Sequence, residues 1–447
     1  MPTNVIDDLQ RHVQAQIITR SHPTYQQARR VWNKMIDRQP LMIVQPQTAQ
    51  EVVVAIGFAR ENDLPLSVKG GGHGVAGLAV CDDGMVIDLS RMHAVSVDPL
   101  AETATVQGGA RLRSLDTGSQ AHGLATTAGI YRETGVAGLA LGGGVGLLMR
   151  DFGLTCDNLL SAEVVTADGH IVEASNNDNT DLFWALRGGG GNFGVVTRMN
   201  FRLHPLTQVI GGRIDYKFED AQTLSRVYQD VMSNAPNGLQ AYFSFGIDPK
   251  GAKSASITLC DVRSHLEVED ILGQFRTPCQ PVWEHVGKIP YLQMQQHWDD
   301  SFPNGMLRYW KSSFLATISD DIMDVCHDMI SRQSLPNCHI DIEPMGGVIA
   351  RIPPYATAFA DRDAASTLLI ATGWTDAAET DTRISWARET WQAIQPFTKP
   401  SAYVNYLDQG DENRTEAVYG PNYPRLVEVK RRYDPDNVFR FNANIRP

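Results

Sequence analysis

Residues 67–75 read Ser-Val-Lys-Gly-Gly-Gly-His-Gly-Val, which places one imidazole, His73, in a backbone made almost wholly of glycine. Leu64, Leu66 and Val68 close a short apolar strand just before it, so the glycines begin where a strand ends. Gly70, Gly71, Gly72 and Gly74 permit positive φ and let a ligand approach the main chain closely. Amides exposed in such turns bind phosphates and other anionic groups. Taken alone the run also suits a plain flexible loop, and the rest of the chain decides between the two.

A second glycine-dense run, residues 134–146, reads Thr-Gly-Val-Ala-Gly-Leu-Ala-Leu-Gly-Gly-Gly-Val-Gly. It carries no side-chain chemistry, but its unobstructed amides suit a pyrophosphate; close packing of a loop on a sheet would demand the same glycines. A third run holds a formal G-x-G-x-x-G at Gly189, Gly191 and Gly194. A Rossmann fingerprint follows a strand and opens a helix, whereas the pattern here gives a helix before and a strand after, so that reading is rejected.

With 447 residues, 43% hydrophobic and 20% charged, the chain is long enough for two or three domains. Lys and Arg total 39 against 51 Asp and Glu, a net charge of −12 that repels nucleic acid and anionic membranes. Asp7 and Asp8 precede Leu9, Val13 and Ile17 at helical spacing, where an export signal would show a basic start and an apolar run. Six glycines interrupt residues 135–149, the most apolar segment, which argues against a membrane span. The six cysteines are scattered, so neither a metal site nor a disulfide framework is expected, and reduced thiols fit a cytoplasmic protein.

In chain order, Thr48 and Glu51 cap a helix reaching to about residue 61, strands follow at 64–68, 85–89 and 103–106, and a helix through Leu112, Leu115 and Ser119 stops at Gly123. Strands 159–166 and 171–174 flank an Ala-Asp-Gly turn, and a helix at 181–186 leads to a strand at 195–203. Beyond His204-Pro205, strands at 212–218, 241–247 and 255–262 mix with amphipathic helices. The pattern recurs with a long loop over 290–310, strands near Phe314 and at 339–352 and 368–374, and helices at 322–330 and 384–394. This predicts an α+β protein with an antiparallel sheet backed by helices. A last strand at 401–407, a helix at 423–433 and a tail returning to the first domain complete it. The expected units are residues 1–205, 206–407 and 408–447.

The Gly-Gly-Gly-His-Gly loop after a strand, the Thr-Gly-Val-Ala-Gly-Leu and Gly-Gly-Gly-Val-Gly run, and the terminal Tyr-Asp-Pro-Asp-Asn-Val-Phe with Asn-Ala-Asn-Ile together resemble one family. It is the berberine-bridge-enzyme-like FAD-linked oxidases of the vanillyl-alcohol-oxidase/PCMH flavoprotein superfamily. The likeness runs from about Tyr25 to Pro447, is most specific over residues 60–205 and 400–447, and is weak between them. It implies a PCMH-type FAD-binding domain of two α/β subdomains, with the flavin ring over the antiparallel sheet of a substrate domain. His73 then corresponds to the histidine joined covalently to the flavin 8-methyl group. Further FAD contacts are implied for Lys69, Gly70, Gly71, Gly72, Gly74, Val75, Thr134, Gly135, Gly138, Leu139, Gly142, Gly143, Gly144, Asp157, Asn442 and Asn444. Many members carry a second link from a cysteine two residues after the glycine matching Gly129. Tyr131 stands there, so a single link is implied, and Cys156 reads as a small buried side chain.

Hydride transfer to a flavin needs a base for the departing O–H or N–H proton. On the predicted strand 401–407, alternation places Tyr403 and Asn405 on one face and Tyr406 on the other. The resemblance points to a tyrosine there, so Tyr403 is the expected base, although a phenol needs activation at neutral pH. His339, Asp341 and Glu343 share one strand face. Glu343 could accept or relay the proton, or the three could form a solvated edge. Tyr131 is expected to enter the pocket, and the modest size of Thr134 to favour reaction with O2. The reading is an FAD-dependent oxidase that takes a hydride from an alcohol, amine or sugar-like carbon of a small molecule and yields H2O2. Alternatives are a dehydrogenase with another acceptor and a flavin-bearing cyclase or binding scaffold. Tyr291, Trp298, Phe302, Tyr309 and Trp310 are candidates to line the pocket.

Overall fold

The computed structural model describes residues 9–299, 301 and 303–447; Asp7, Asp8 and Phe302 lie outside the described residues. Three main sheets organise the α+β chain. The first has the spatial order Gln16–Thr19, Met42–Gln45, Met85–Asp88 and Leu66–Lys69. Its first pair is antiparallel and the others are parallel. Parallel neighbours require a crossover, which the helix Ala49–Glu61 supplies, with the Thr48 side chain accepting from the Glu51 amide at its start. Ile17 therefore sits on a strand, and the helical stripe read through Leu9 and Val13 ends before it.

The second sheet is antiparallel, in the order Val95–Asp98, Thr103–Gln107, Val195–Arg202, Leu159–Val165 and Ile171–Ser175. The third has seven antiparallel strands, in the order Trp283–Pro290, Gln208–Lys217, Lys253–Asp261, Leu239–Ile247, Cys338–Pro344, Ser366–Trp374 and Leu307–Leu315. Helices Ala221–Ser233, Asp320–Ser331 and Thr380–Ile394 cover one of its faces, where Tyr228, Phe243, Ile257, Ile340 and Trp386 form a core. Because side chains alternate along a strand, the residues between these point the other way. Tyr242, Ser244, Ser256, His339, Asp341 and Glu343 accordingly floor a cleft.

Two predicted strands are corrected. The one read over 339–352 stops at Pro344, because Gly346 and Gly347, at φ 87° and 57°, turn the chain into the helical turn Val348–Arg351. Residues 401–407 are not a strand. Pairing with the sheet-edge strand ends where the Phe314 amide donates to the Ser401 carbonyl, and Val404–Tyr406 is a 3-10 turn. Asn405 draws this turn off the sheet, its side-chain amide donating to the Leu139 carbonyl at 3.1 Å and to Tyr403 Oη at 2.8 Å. The sequence reading also missed the edge strand Trp283–Pro290, which occupies ground next to the predicted 290–310 loop.

The C-terminal tail returns to the first half of the chain. Asn192 donates to the Ala443 carbonyl and accepts from the Ile445 amide, and Asn442 donates to the Gly191 carbonyl. No helix among the described residues is long and apolar enough to cross a membrane. All six cysteines are buried and free.

Candidate active site

Both glycine-rich runs and the floor of the seven-stranded sheet border one cleft of about 1170 Å³. The strand Leu66–Lys69 delivers the loop that carries His73, and the second run meets it backbone to backbone. A Cβ on Gly71 would lie 2.5 Å from Gly135 Cα, so these two glycines exist to let the loops touch. At Gly74, Gly138 and Gly191 a Cβ would meet nothing within 4 Å, and all three border the cleft. There the missing side chain leaves room for a ligand.

Gly70, Gly71, Gly72, His73, Thr134, Gly135, Leu139, Asn442 and Asn444 border the same cleft, as do Gly190 and Gly194 of the third run. Lys69, Val75, Gly142, Gly143, Gly144 and Asp157, also expected at the cofactor, do not border this cleft and are held by contacts within the chain. Lys69 pairs with Asp88 at 3.3 Å and donates to the Ala28 carbonyl. Val75 is buried beside Trp32 and Trp310. Gly142, Gly143 and Gly144 are needed for packing, since side chains there would strike Asn405, Phe359 and Thr155. Asp157 forms a two-oxygen pair with Arg362, at 2.6 and 2.7 Å, and accepts from the Leu154 amide. Replacing Asp157 by alanine strands a buried guanidinium. It is expected to cost about 3–5 kcal/mol of stability by chemical denaturation while bound flavin per chain stays unchanged.

His73 sits in an aromatic box. Trp32 stacks on it at a centroid distance of 4.2 Å and an interplanar angle of 20°, and Tyr131 leans on it at 5.0 Å. Its Nε2 is buried and makes no hydrogen bond among the described residues. Burial, with added repulsion from Arg308 and Arg111, lowers its pKa to about 3, so the imidazole is neutral at physiological pH. The Arg308 guanidinium lies 4.1 Å over the Trp32 ring.

On the floor, Tyr406 Oη donates to Glu343 Oε1 and Oε2 at 3.0 and 3.1 Å. Glu343 is 2% exposed. Burial, then the negative charge of Asp341, raises its carboxyl to about 8, with the Tyr406 hydrogen bond opposing. Asp341 is itself held by His339 at 2.6 Å. Tyr403, the expected base, borders the cleft together with Asn405. Its oxygen accepts from Asn405 and from the Gly144 amide at 3.0 Å, and burial pushes its phenol upward. Tyr403 thus bolts the 142–145 turn in place, and Tyr406, assigned to the opposite face of a strand, is the phenol paired with a carboxylate. Of the aromatic candidates, Trp298 and Trp310 reach the cleft. Tyr291 and Tyr309 are buried in packing.

A neutral imidazole whose Nε2 has no hydrogen-bond partner among the described residues, glycine walls open to a ligand and a phenol–carboxylate pair on one cleft suit a flavin-dependent oxidoreductase. Residues 40–175 match the family model of the FAD binding domain, and residues 402–446 that of berberine and berberine-like proteins. An uncharacterized FAD-linked oxidoreductase of Bacillus subtilis is 31% identical over 438 residues, 96% of each chain. (R)-6-hydroxynicotine oxidase of Paenarthrobacter nicotinovorans is 29% identical over 457 residues, 97% of each. The crystal structure of 6-hydroxy-D-nicotine oxidase from Arthrobacter nicotinovorans matches with a TM-score of 0.90 at 26% identity, covering 100% of both chains. The chain belongs to the berberine-bridge-enzyme-like family of FAD-linked oxidoreductases. Its residues fit FAD: the space at Gly74, Gly138 and Gly191 is a cradle, and the buried side-chain oxygens of Asn442 and Asn444, like His73 Nε2, have no partners among the described residues.

Proposed function

We propose that this protein is an oxidase of a small alcohol, amine or sugar-like substrate, with FAD tethered by a single covalent bond to His73. The observation that carries the reading is that the neutral imidazole, whose Nε2 has no partner among the described residues, and the Tyr406–Glu343 pair open on the same cleft. Bound FAD supplies the two-electron acceptor that takes the hydride and passes the electrons to dioxygen as hydrogen peroxide. The chain's own groups handle the proton. Tyr406 receives it from the substrate O–H or N–H while handing its own to Glu343, so the carboxylate is the terminal acceptor. Its position near pH 8 matches a base that must ionise close to neutrality.

Tyr131, which leans on the His73 ring at 5.0 Å, offers no thiol for a second covalent link. Thr134, small and on the cleft wall, supports reaction with oxygen. The FAD-binding unit is assigned to residues 1–205 with 408–447 returning to it, and the substrate unit to residues 206–407. Six buried, free thiols support a cytoplasmic setting.

The test is turnover of the purified holoprotein with panels of alcohols, amines and sugars in air, followed by oxygen uptake and peroxide release. Equal amounts of oxygen consumed and peroxide formed are expected with at least one panel. Flavin that substrate reduces but that stays reduced in air would instead favour a dehydrogenase.

A further inference from the structure

A nucleophilic histidine is ordinarily aimed by a hydrogen bond from its second ring nitrogen to a carboxylate or carbonyl. His73 shows a different arrangement. Glycines flank it on both sides, its buried Nε2 has no hydrogen-bond partner among the described residues, and the indole of Trp32 stacks on its ring. The indole contacts both groups: the Arg308 guanidinium lies 4.1 Å over the Trp32 ring, and the His73 imidazole stacks on the same indole at 4.2 Å. Trp310 braces the indole edge-on at 5.4 Å.

The indole is fixed to the loop it serves. The Trp32 amide donates to the Gly72 carbonyl at 2.9 Å. The adjacent Asn33 side chain donates to the carbonyls of Val75, at 2.8 Å, and Arg308, at 3.0 Å, and accepts from the Arg308 amide at 3.1 Å. One short segment thus ties the His73 loop to the edge strand of the seven-stranded sheet and lays a flat surface against the imidazole. A ring stacked at 20° keeps its nitrogens in one plane, so the lone pair can point only along that plane.

We propose that Trp32 is the positioning residue for flavin attachment, holding the His73 ring in the plane from which its nitrogen reaches the 8-methyl carbon. This rests on the covalent reading of His73. In the net step one methyl C–H and the imidazole N–H are lost and one C–N bond forms. Two electrons and two protons pass to dioxygen, giving hydrogen peroxide. Trp32 takes no part in the bond changes, and its contribution is orientation.

The experiment expresses the chain without flavin, adds FAD in air and follows attachment by acid precipitation at timed intervals, with ultrafiltration reporting total bound FAD. Trp32→Ala and Trp32→Leu are expected to bind FAD but to attach it about ten- to a hundredfold more slowly, while Trp32→Phe, which keeps a flat face, recovers most of the rate. The leucine variant keeps bulk in the box should alanine fail to fold. Attachment at the wild-type rate in Trp32→Ala or Trp32→Leu overturns the assignment, as does a Trp32→Phe variant as slow as Trp32→Leu. Wild-type flavin that never enters the acid pellet removes the covalent reading itself, a separate outcome seen in the control.

Discussion

Replacing Glu343 by glutamine is expected to slow reduction of the flavin by substrate about 10²- to 10⁴-fold, measured anaerobically by stopped flow. The amide still accepts the Tyr406 hydrogen bond and fills the same space, but it cannot take the proton. Tyr406→Phe removes the other member of the relay, and because the two act as a unit the double variant should be little worse than either single one. The pH profile gives an independent check. A base works in its ionised form, and burial with the neighbouring Asp341 charge holds Glu343 up to about 8. At pH 7 only about a tenth of it is ionised. The rate should therefore climb about tenfold per unit between pH 6 and 7 and flatten above about pH 9. Glu343→Gln should lose that limb, and a profile it leaves unchanged would take the base role away from this carboxyl.

His73→Ala is expected to release every flavin to the supernatant on acid treatment while leaving the fold intact, since Nε2 makes no hydrogen bond among the described residues that would hold the loop. The variant should still bind FAD through the glycine walls, but more weakly and with a lower reduction potential. Turnover with the same substrate should then fall by about one to two orders of magnitude. In the wild type, attachment should be insensitive to pH from about 5 to 8. The ring pKa of about 3 lies well below that window, so the nucleophile is neutral throughout.

The His73 loop was legible because a histidine among glycines after a strand is a rare composition, and the helix-backed sheet was legible because alternation survives in strands such as Leu239–Ile247. The glycines of the second run were legible only as a group. Gly138 borders the ligand space and Gly142 packs on Asn405, yet each position demands glycine for its own reason and the letters are identical. Tyr403-Val-Asn-Tyr406 alternates like a strand, but the Asn405 amide finds a carbonyl and a phenol in the 139–145 region and bends the chain into a turn. That local capture puts Tyr406, and not Tyr403, in hydrogen-bond contact with Glu343. Asp157 looked like a ligand because its partner, Arg362, stands 205 residues away in the chain. Trp32 left no signal at all, being one aromatic in the irregular stretch that follows Tyr25–Ala28.

The most direct measurement is the mass of the denatured wild-type chain and of the tryptic peptide that begins at Gly70, after Lys69, and ends at Arg91. One FAD less two hydrogens is expected on both, with fragmentation placing the addition on His73, so that the chain mass leaves nothing over for Tyr131 or Cys156. A bare chain mass from protein that was yellow before denaturation would contradict the tether, and an addition on any other residue would contradict the site.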